Sequence, residues 1–275
     1  YRGMTIGTAA PTAEEMEGIP HHMVAVADPR ESWSAARYTA EADKCVQDIL
    51  RRDKRPVLVG GTGLYLDALV RGTDFAAGSQ GGAIRQQLQQ RVERQGAAAL
   101  LEELQTIDPA AAARLHLRDE KRIVRALEVY YETGETITEH DRKSRETPPR
   151  YRALRIGLAF RDRADMWARI DRRVDDMVAQ GLLQEVETLL QSGLPRDATA
   201  LQAIGYKQFL AVAEGRATVD EAIAEVKLRS RQYAKRQLTW LRRDEDIHWI
   251  LWEKTPDFPA GLQNATEFLL SAGVC

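Results

Sequence analysis

Two kinds of residue in this chain are placed to do chemistry. One is the turn Gly60-Gly61-Thr62-Gly63, set between the apolar run Val57-Leu58-Val59 and the amphipathic segment Leu64-Tyr65-Leu66. A β-type run ending in glycines and a threonine presents backbone N–H groups and a hydroxyl at the carboxyl edge of a parallel strand, where α/β sheets bind ligands. The other is a set of three cationic clusters. Val226 to Arg243 holds seven basic residues and no acid, with Lys227, Arg231 and Lys235 four apart on one helical face and Tyr233, Gln237 and Trp240 beside them. That stretch reads either as phosphate or RNA contact, or as solvated helix surface with Tyr233 and Trp240 in the core. Arg114, Arg118, Lys121, Arg122 and Arg125, interrupted by Asp119 and Glu120, form a second cluster with the mixed charge of an ordinary helix surface. In the third, Arg161 to Arg173, the pair Arg169 and Arg173 has the i,i+4 spacing to clamp one anion.

Other chemistries find no support. The five histidines show no ligand spacing, and no nucleophile–His–Asp arrangement can be built. Cys45 and Cys275 make neither a disulfide framework nor a metal motif, as expected of a cytoplasmic chain. At 275 residues, 44% hydrophobic, 29% charged and a net charge of −2, the composition is that of an ordinary globular protein. Any nucleic-acid site must therefore come from local charge segregation. No apolar run approaches the roughly 18 residues that cross a membrane.

The elements that must position these groups alternate at first. Met23–Ala27 and Pro56–Val59 read as strands, with helices over Ser34–Arg52 (Ser32 or Ser34 as N-cap) and Gly63–Arg71. That alternation predicts a parallel, helix-covered sheet. Residues 76–82 read as a connection into a helical insertion over 76–150. Its helices are Ala83–Arg94, Ala97–Gln105, Pro109–Leu115 capped by Asp108, and Glu120–Thr133 ended by Gly134. Tyr151–Ala159 then reads as a strand. Helices follow over Arg163–Gln180, Leu182–Gln191, Tyr206–Glu214 and Thr218–Arg242, then a strand at Ile247–Leu251 and a closing helix. Residues 1–75 and 151–275 thus make the two parts of an α/β core. The glycine-punctuated opening, Tyr1 to Thr12, has no strand in front of it and reads as starting inside a domain.

Eight segments, in order, resemble the tRNA dimethylallyltransferase (isopentenyltransferase) family. They begin with Tyr1-Arg2-Gly3-Met4 and Ile6-Gly7-Thr8-Ala9, Pro20-His21-His22, and Gly60 to Tyr65. Asp108-Pro109 with Ala113-Arg114 and Arg122 to Val129 follow, then Arg169 to Asp175, Ala203 to Lys207, and Tyr233 to Trp240. The resemblance implies a P-loop NTPase-like, nucleotide-binding (ATP-binding) core with a helical insertion that binds tRNA. It implies transfer of a dimethylallyl group from dimethylallyl diphosphate to N6 of the adenine just 3′ of the anticodon.

Carried over by position, the resemblance makes Thr62 and Arg173 catalytic. Thr62, Arg85, Lys121, Arg122, Ile123, Val124, Arg125, Lys235 and Arg236 become tRNA contacts, and Arg173 with Arg169 meets the diphosphate. The partners implied are the tRNA anticodon stem-loop and dimethylallyl diphosphate, with no membrane, for a cytoplasmic monomer. The family's Gly-Lys-Ser/Thr loop and Asp-Ser-x-Gln segment are not found in these residues. The expectation is therefore a first βα unit missing, Mg²⁺ ligands within it, and little activity without it. The rival readings are a P-loop-type nucleotide kinase, which ATP binding would favour, and a non-catalytic RNA-binding fragment.

Overall fold

The computed structural model describes residues 1–73, 75 and 82–274. In chain order its elements are α1 Ala35–Arg51, α2 Gly63–Arg71, α3 Ala83–Ile107, α4 Pro109–Ala112, α5 Glu120–Thr133, α6 Ile137–Glu146, β1 Ile156–Phe160, α7 Arg163–Ala179 and α8 Leu182–Gln191. A 3₁₀ turn at Thr199–Gln202 leads to α9 Tyr206–Ala213, α10 Val219–Leu241, β2 His248–Trp252 and α11 Phe258–Ser271. They divide into two compact units, Tyr1–Leu66 with Arg152–Cys275, and Asp67–Tyr151. Apart from Gly82, the connection read at 76–82 lies outside the described residues.

In the first unit β1 and β2 pair in parallel, Ile156 opposite His248 through Phe160 opposite Trp252. The chain between them supplies α7 to α10, and Met4, Val174, Leu182, Val186, Leu201, Tyr206, Phe209 and Val226 make a continuous apolar core. α1 starts where Ser34, rather than Ser32, accepts the Arg37 N–H at 3.1 Å. α10 opens on a Thr218/Glu221 capping box, two side chains answering two otherwise orphan amides.

Two expected strands do not form. In Met23–Ala27, Met23 and Ala25 have φ of 62° and 52°, left-handed values that break an extended ladder. Pro56–Val59 pairs with no described strand, and Val57 and Val59 stand 83% and 92% exposed. The strand read over Tyr151–Ala159 forms only from Ile156, and its partner runs on to Trp252.

The second unit is helical. α3 turns at Gly96, whose φ of 80° suits glycine, so it is two packed segments, as the two separate helices read there suggested. Asp108 caps α4 through the Ala111 N–H at 2.9 Å and holds Thr138 of α6. Leu88, Leu100, Leu104, Ile123 and Leu127 form its core. α6 is a helix the sequence reading passed over, because it carries little apolar periodicity. Its Thr136/Glu139 capping box was the available signal.

Candidate functional site

The glycine turn sits on α10. Gln237 donates its Nε2 to the Gly61 carbonyl at 2.9 Å, and Thr62 Oγ1 lies 3.2 Å from the Tyr233 hydroxyl. A Cβ on Gly61 would overlap the Gln237 amide, and one on Gly63 would overlap the Trp240 ring. Only glycine admits so close a seat. Tyr65 stacks on Tyr38 of α1 with centroids 4.5 Å apart. Tyr233, Gln237 and Trp240, at i, i+4 and i+7, are therefore the platform of the turn. Tyr233 and Trp240 remain 36% and 40% exposed, which corrects the reading that put them in the core. Thr62 itself is exposed at the head of α2.

A second stripe of α10 faces α7. Arg231 bonds Asp171 at 2.7 Å and Lys227 bonds Asp175 at 2.6 Å. Two i,i+4 acids thus answer two i,i+4 bases, so the face read as Lys227, Arg231 and Lys235 does not act as one. Its first two members join helices, and Lys235 alone continues it, exposed and without an ion pair among the described residues. Arg236 is also exposed, with its guanidinium 5.7 Å from the Tyr233 ring centre. Arg169 and Arg173 lie on the open side of α7, both exposed and in no ion pair among the described residues. Two guanidiniums one turn apart, with no carboxylate consuming them, are suited to an anion.

The opening loop is organised by a residue that sequence reasoning missed. Glu185 of α8 accepts from Thr5 N at 2.9 Å, Thr5 Oγ1 at 2.7 Å, Ile6 N at 2.9 Å and Gly7 N at 3.2 Å, and from the Tyr206 hydroxyl. Burial pushes this carboxyl's pKa up, but the bonds from Tyr206, Ile6 and Thr5 outweigh it and hold it below the ordinary glutamate value. Burial, then the bond to Glu185, pushes the Tyr206 phenol well up. Two of the eight motif segments, around Ile6 and around Tyr206, meet at this one carboxylate.

In the second unit another unforeseen acid does similar work. Glu128 of α5 is fully buried and accepts Arg85 at both oxygens, each at 2.9 Å, and Arg125 at 2.9 Å. Arg85 and Arg125 are left 29% and 30% exposed. Ile123 and Val124 are 0% and 5% exposed, so their side chains seat α5 in the core and cannot reach RNA. Lys121 and Arg122 stand exposed at the start of α5.

No group of three His, Cys, Asp or Glu among the described residues could hold a metal ion. Asp171 and Asp175 already answer Arg231 and Lys227. Among the described residues, side chains alone form no Mg²⁺ site. Nor is any helix among the described residues long and apolar enough to cross a membrane.

A small parallel sheet packed with helices, and a second, helical unit, define an α/β protein. Residues 1–244 match the family model described as IPP transferase, and the chain belongs to that family. It is 43% identical over 249 residues to a protein of Thermomicrobium roseum named tRNA dimethylallyltransferase, covering 90% of this chain and 74% of that one. A protein of the same name from Desulforamulus reducens is 44% identical over 252 residues, covering 91% and 88%. Among solved structures, the tRNA isopentenylpyrophosphate transferase of Bacillus halodurans superposes with a TM-score of 0.68 at 37% identity, covering 100% of this chain and 84% of that one. A eukaryotic dimethylallyltransferase acting on tRNA gives 0.74 at 28% identity, covering 96% and 67%.

Proposed function

We propose that this chain serves the transfer of a dimethylallyl group from dimethylallyl diphosphate to N6 of the adenine 3′-adjacent to the anticodon in tRNA. The observation that carries this is the 43–44% identity, over about nine-tenths of the chain, to proteins named for that reaction. In it, N6 attacks the allylic carbon, an N–C bond forms, the C–O bond to diphosphate breaks and N6 loses a proton. An aromatic amine is a weak nucleophile, so a carboxylate base assists. Charge builds on the departing diphosphate, and unpaired cations set at its oxygens are the largest source of stabilisation. Arg173, with Arg169 one turn away, has that character. The adenine must leave its stack to react, and Thr62, exposed on its seat, orients the flipped base. The stem-loop is held by Lys121, Arg122, Lys235 and Arg236. The nucleotide-kinase reading gains nothing from these relatives.

The P-loop-type core is supported by the exposed apolar side chains of Val57, Val59 and, at 59%, Leu158 of β1, which a further packed element would cover.

Arg173→Ala should lose about 10²-fold in kcat/KM while tRNA affinity changes little. Wild-type kinetics toward dimethylallyl diphosphate would remove Arg173 from the site.

A further inference from the structure

Five donors meet the Glu185 carboxylate: the amides of Thr5, Ile6 and Gly7, the Thr5 hydroxyl and the Tyr206 phenol. All five are neutral, so the charge is held by the direction of the donors rather than by a counter-ion. Only a carboxylate accepts at both oxygens, and a glutamine of the same shape would turn an NH₂ group toward amide N–H groups. The seat is built closely. Tyr206 is fully buried, and a Cβ on Gly7 would stand 2.5 Å from its ring and 2.9 Å from Leu182. Thr8 closes the turn with its hydroxyl on the Met4 carbonyl at 2.6 Å, and Met4 lies in the same core as Tyr206.

From this anchor the chain leads back to the glycine turn. The Arg2 amide donates to the Ala27 carbonyl at 2.9 Å. Tyr1 packs on the edge of the same core, with its phenol near Trp33 and Tyr65. Tyr65 stacks on Tyr38, and the amides of Tyr65 and Leu66 donate to the Thr62 carbonyl at 2.9 and 3.2 Å. Residues 1–8 are thus a strip clamped at Glu185, with its other end beside the turn that carries Thr62.

We propose that Glu185 is a positioning residue for the transfer reaction: by holding Thr5, Ile6 and Gly7 it sets residues 1–8 against the glycine turn and so fixes where Thr62 presents the adenine. It acts through the strip and touches no substrate. It rests on the reading that Thr62 orients the reacting base. A misplacement of about 1 Å caused far from the chemistry can cost on the order of 10²-fold in rate, so a hold at this remove carries real weight.

Two measurements on Glu185→Gln, Thr5→Ala and Thr5→Ser test this. The first is steady-state transfer from dimethylallyl diphosphate to an anticodon stem-loop, run below each melting temperature and expressed per folded molecule. Glu185→Gln should lower kcat by about 10- to 100-fold and leave KM for the stem-loop unchanged. Thr5 is exposed, so Thr5→Ala leaves the core intact. It should lose several-fold in kcat, Thr5→Ser should recover it, and this pair carries the test if Glu185→Gln does not fold. The second is amide hydrogen exchange of the protein alone. It should quicken at residues 5–8 and also at Tyr65 and Leu66, with the helices of the second unit unchanged. Wild-type kcat per folded molecule in Glu185→Gln and Thr5→Ala would overturn the proposal, as would exchange that quickens at residues 5–8 alone. Either result would leave Glu185 a staple of its own loop. If Tyr65 and Leu66 loosen as stated yet the wild-type protein transfers no dimethylallyl group, the transfer reading fails and the hold on the turn stands.

Discussion

At the scale of single residues, the acids decide what the cations can do. Arg85 and Arg125 both read as RNA contacts, yet each is bound to Glu128, which has no exposure at all. A buried carboxylate that loses a partner keeps its desolvation cost without its compensation. Arg85→Ala should therefore destabilise the second unit by up to about 3 kcal/mol, with Arg125 retaining part of the pairing. Thermal unfolding measures this beside the salt dependence of RNA binding. An unchanged melting temperature with the slope lowered by a full contact would make Arg85 an RNA ligand instead. Glu128 could not be found in the sequence, since a glutamate between Leu127 and Val129 on a charged helix looks like surface. Its burial depends on an arginine 43 positions away.

At the scale of elements, most helices were legible, whereas only two of the four strands read in the sequence form among the described residues, for one physical reason. A helix satisfies its amides locally, so caps such as Ser34, Asp108 and Thr218 mark its start within a few residues. A strand needs a partner, and Pro56–Val59 has the composition without one among the described residues. The opening loop shows the same dependence on distant groups. Four donors of Thr5 to Gly7 converge on Glu185 of α8. Its folded pKa lies below the ordinary value of 4.5, so the knot contributes fully above that value and loses its contribution as pH falls through the folded pKa. Acid should thus loosen this loop before the helices melt. Glu185→Gln should lower the melting temperature at neutral pH and flatten its fall with acidification. A variant whose melting temperature falls with pH in parallel to the wild type would separate Glu185 from the acid response.

At the scale of the whole molecule, a chain with net charge −2 becomes a candidate tRNA enzyme by sorting its cations. The long helix α10 distributes its side chains over three tasks: fastening to α7, seating the glycine turn, and lining a depression beside α9. The basic character of that helix was legible in the sequence, but its division of labour was not, since it is set by which neighbour each stripe meets. The most direct measurement is of where a labelled C₅ group goes. The protein would be incubated with Mg²⁺, dimethylallyl diphosphate, ATP and an anticodon stem-loop, and the RNA fragmented for mass spectrometry. The proposed function requires one dimethylallyl group on the adenine 3′-adjacent to the anticodon. An RNA recovered without it, alongside ATP-dependent phosphorylation of a nucleoside, would contradict the account.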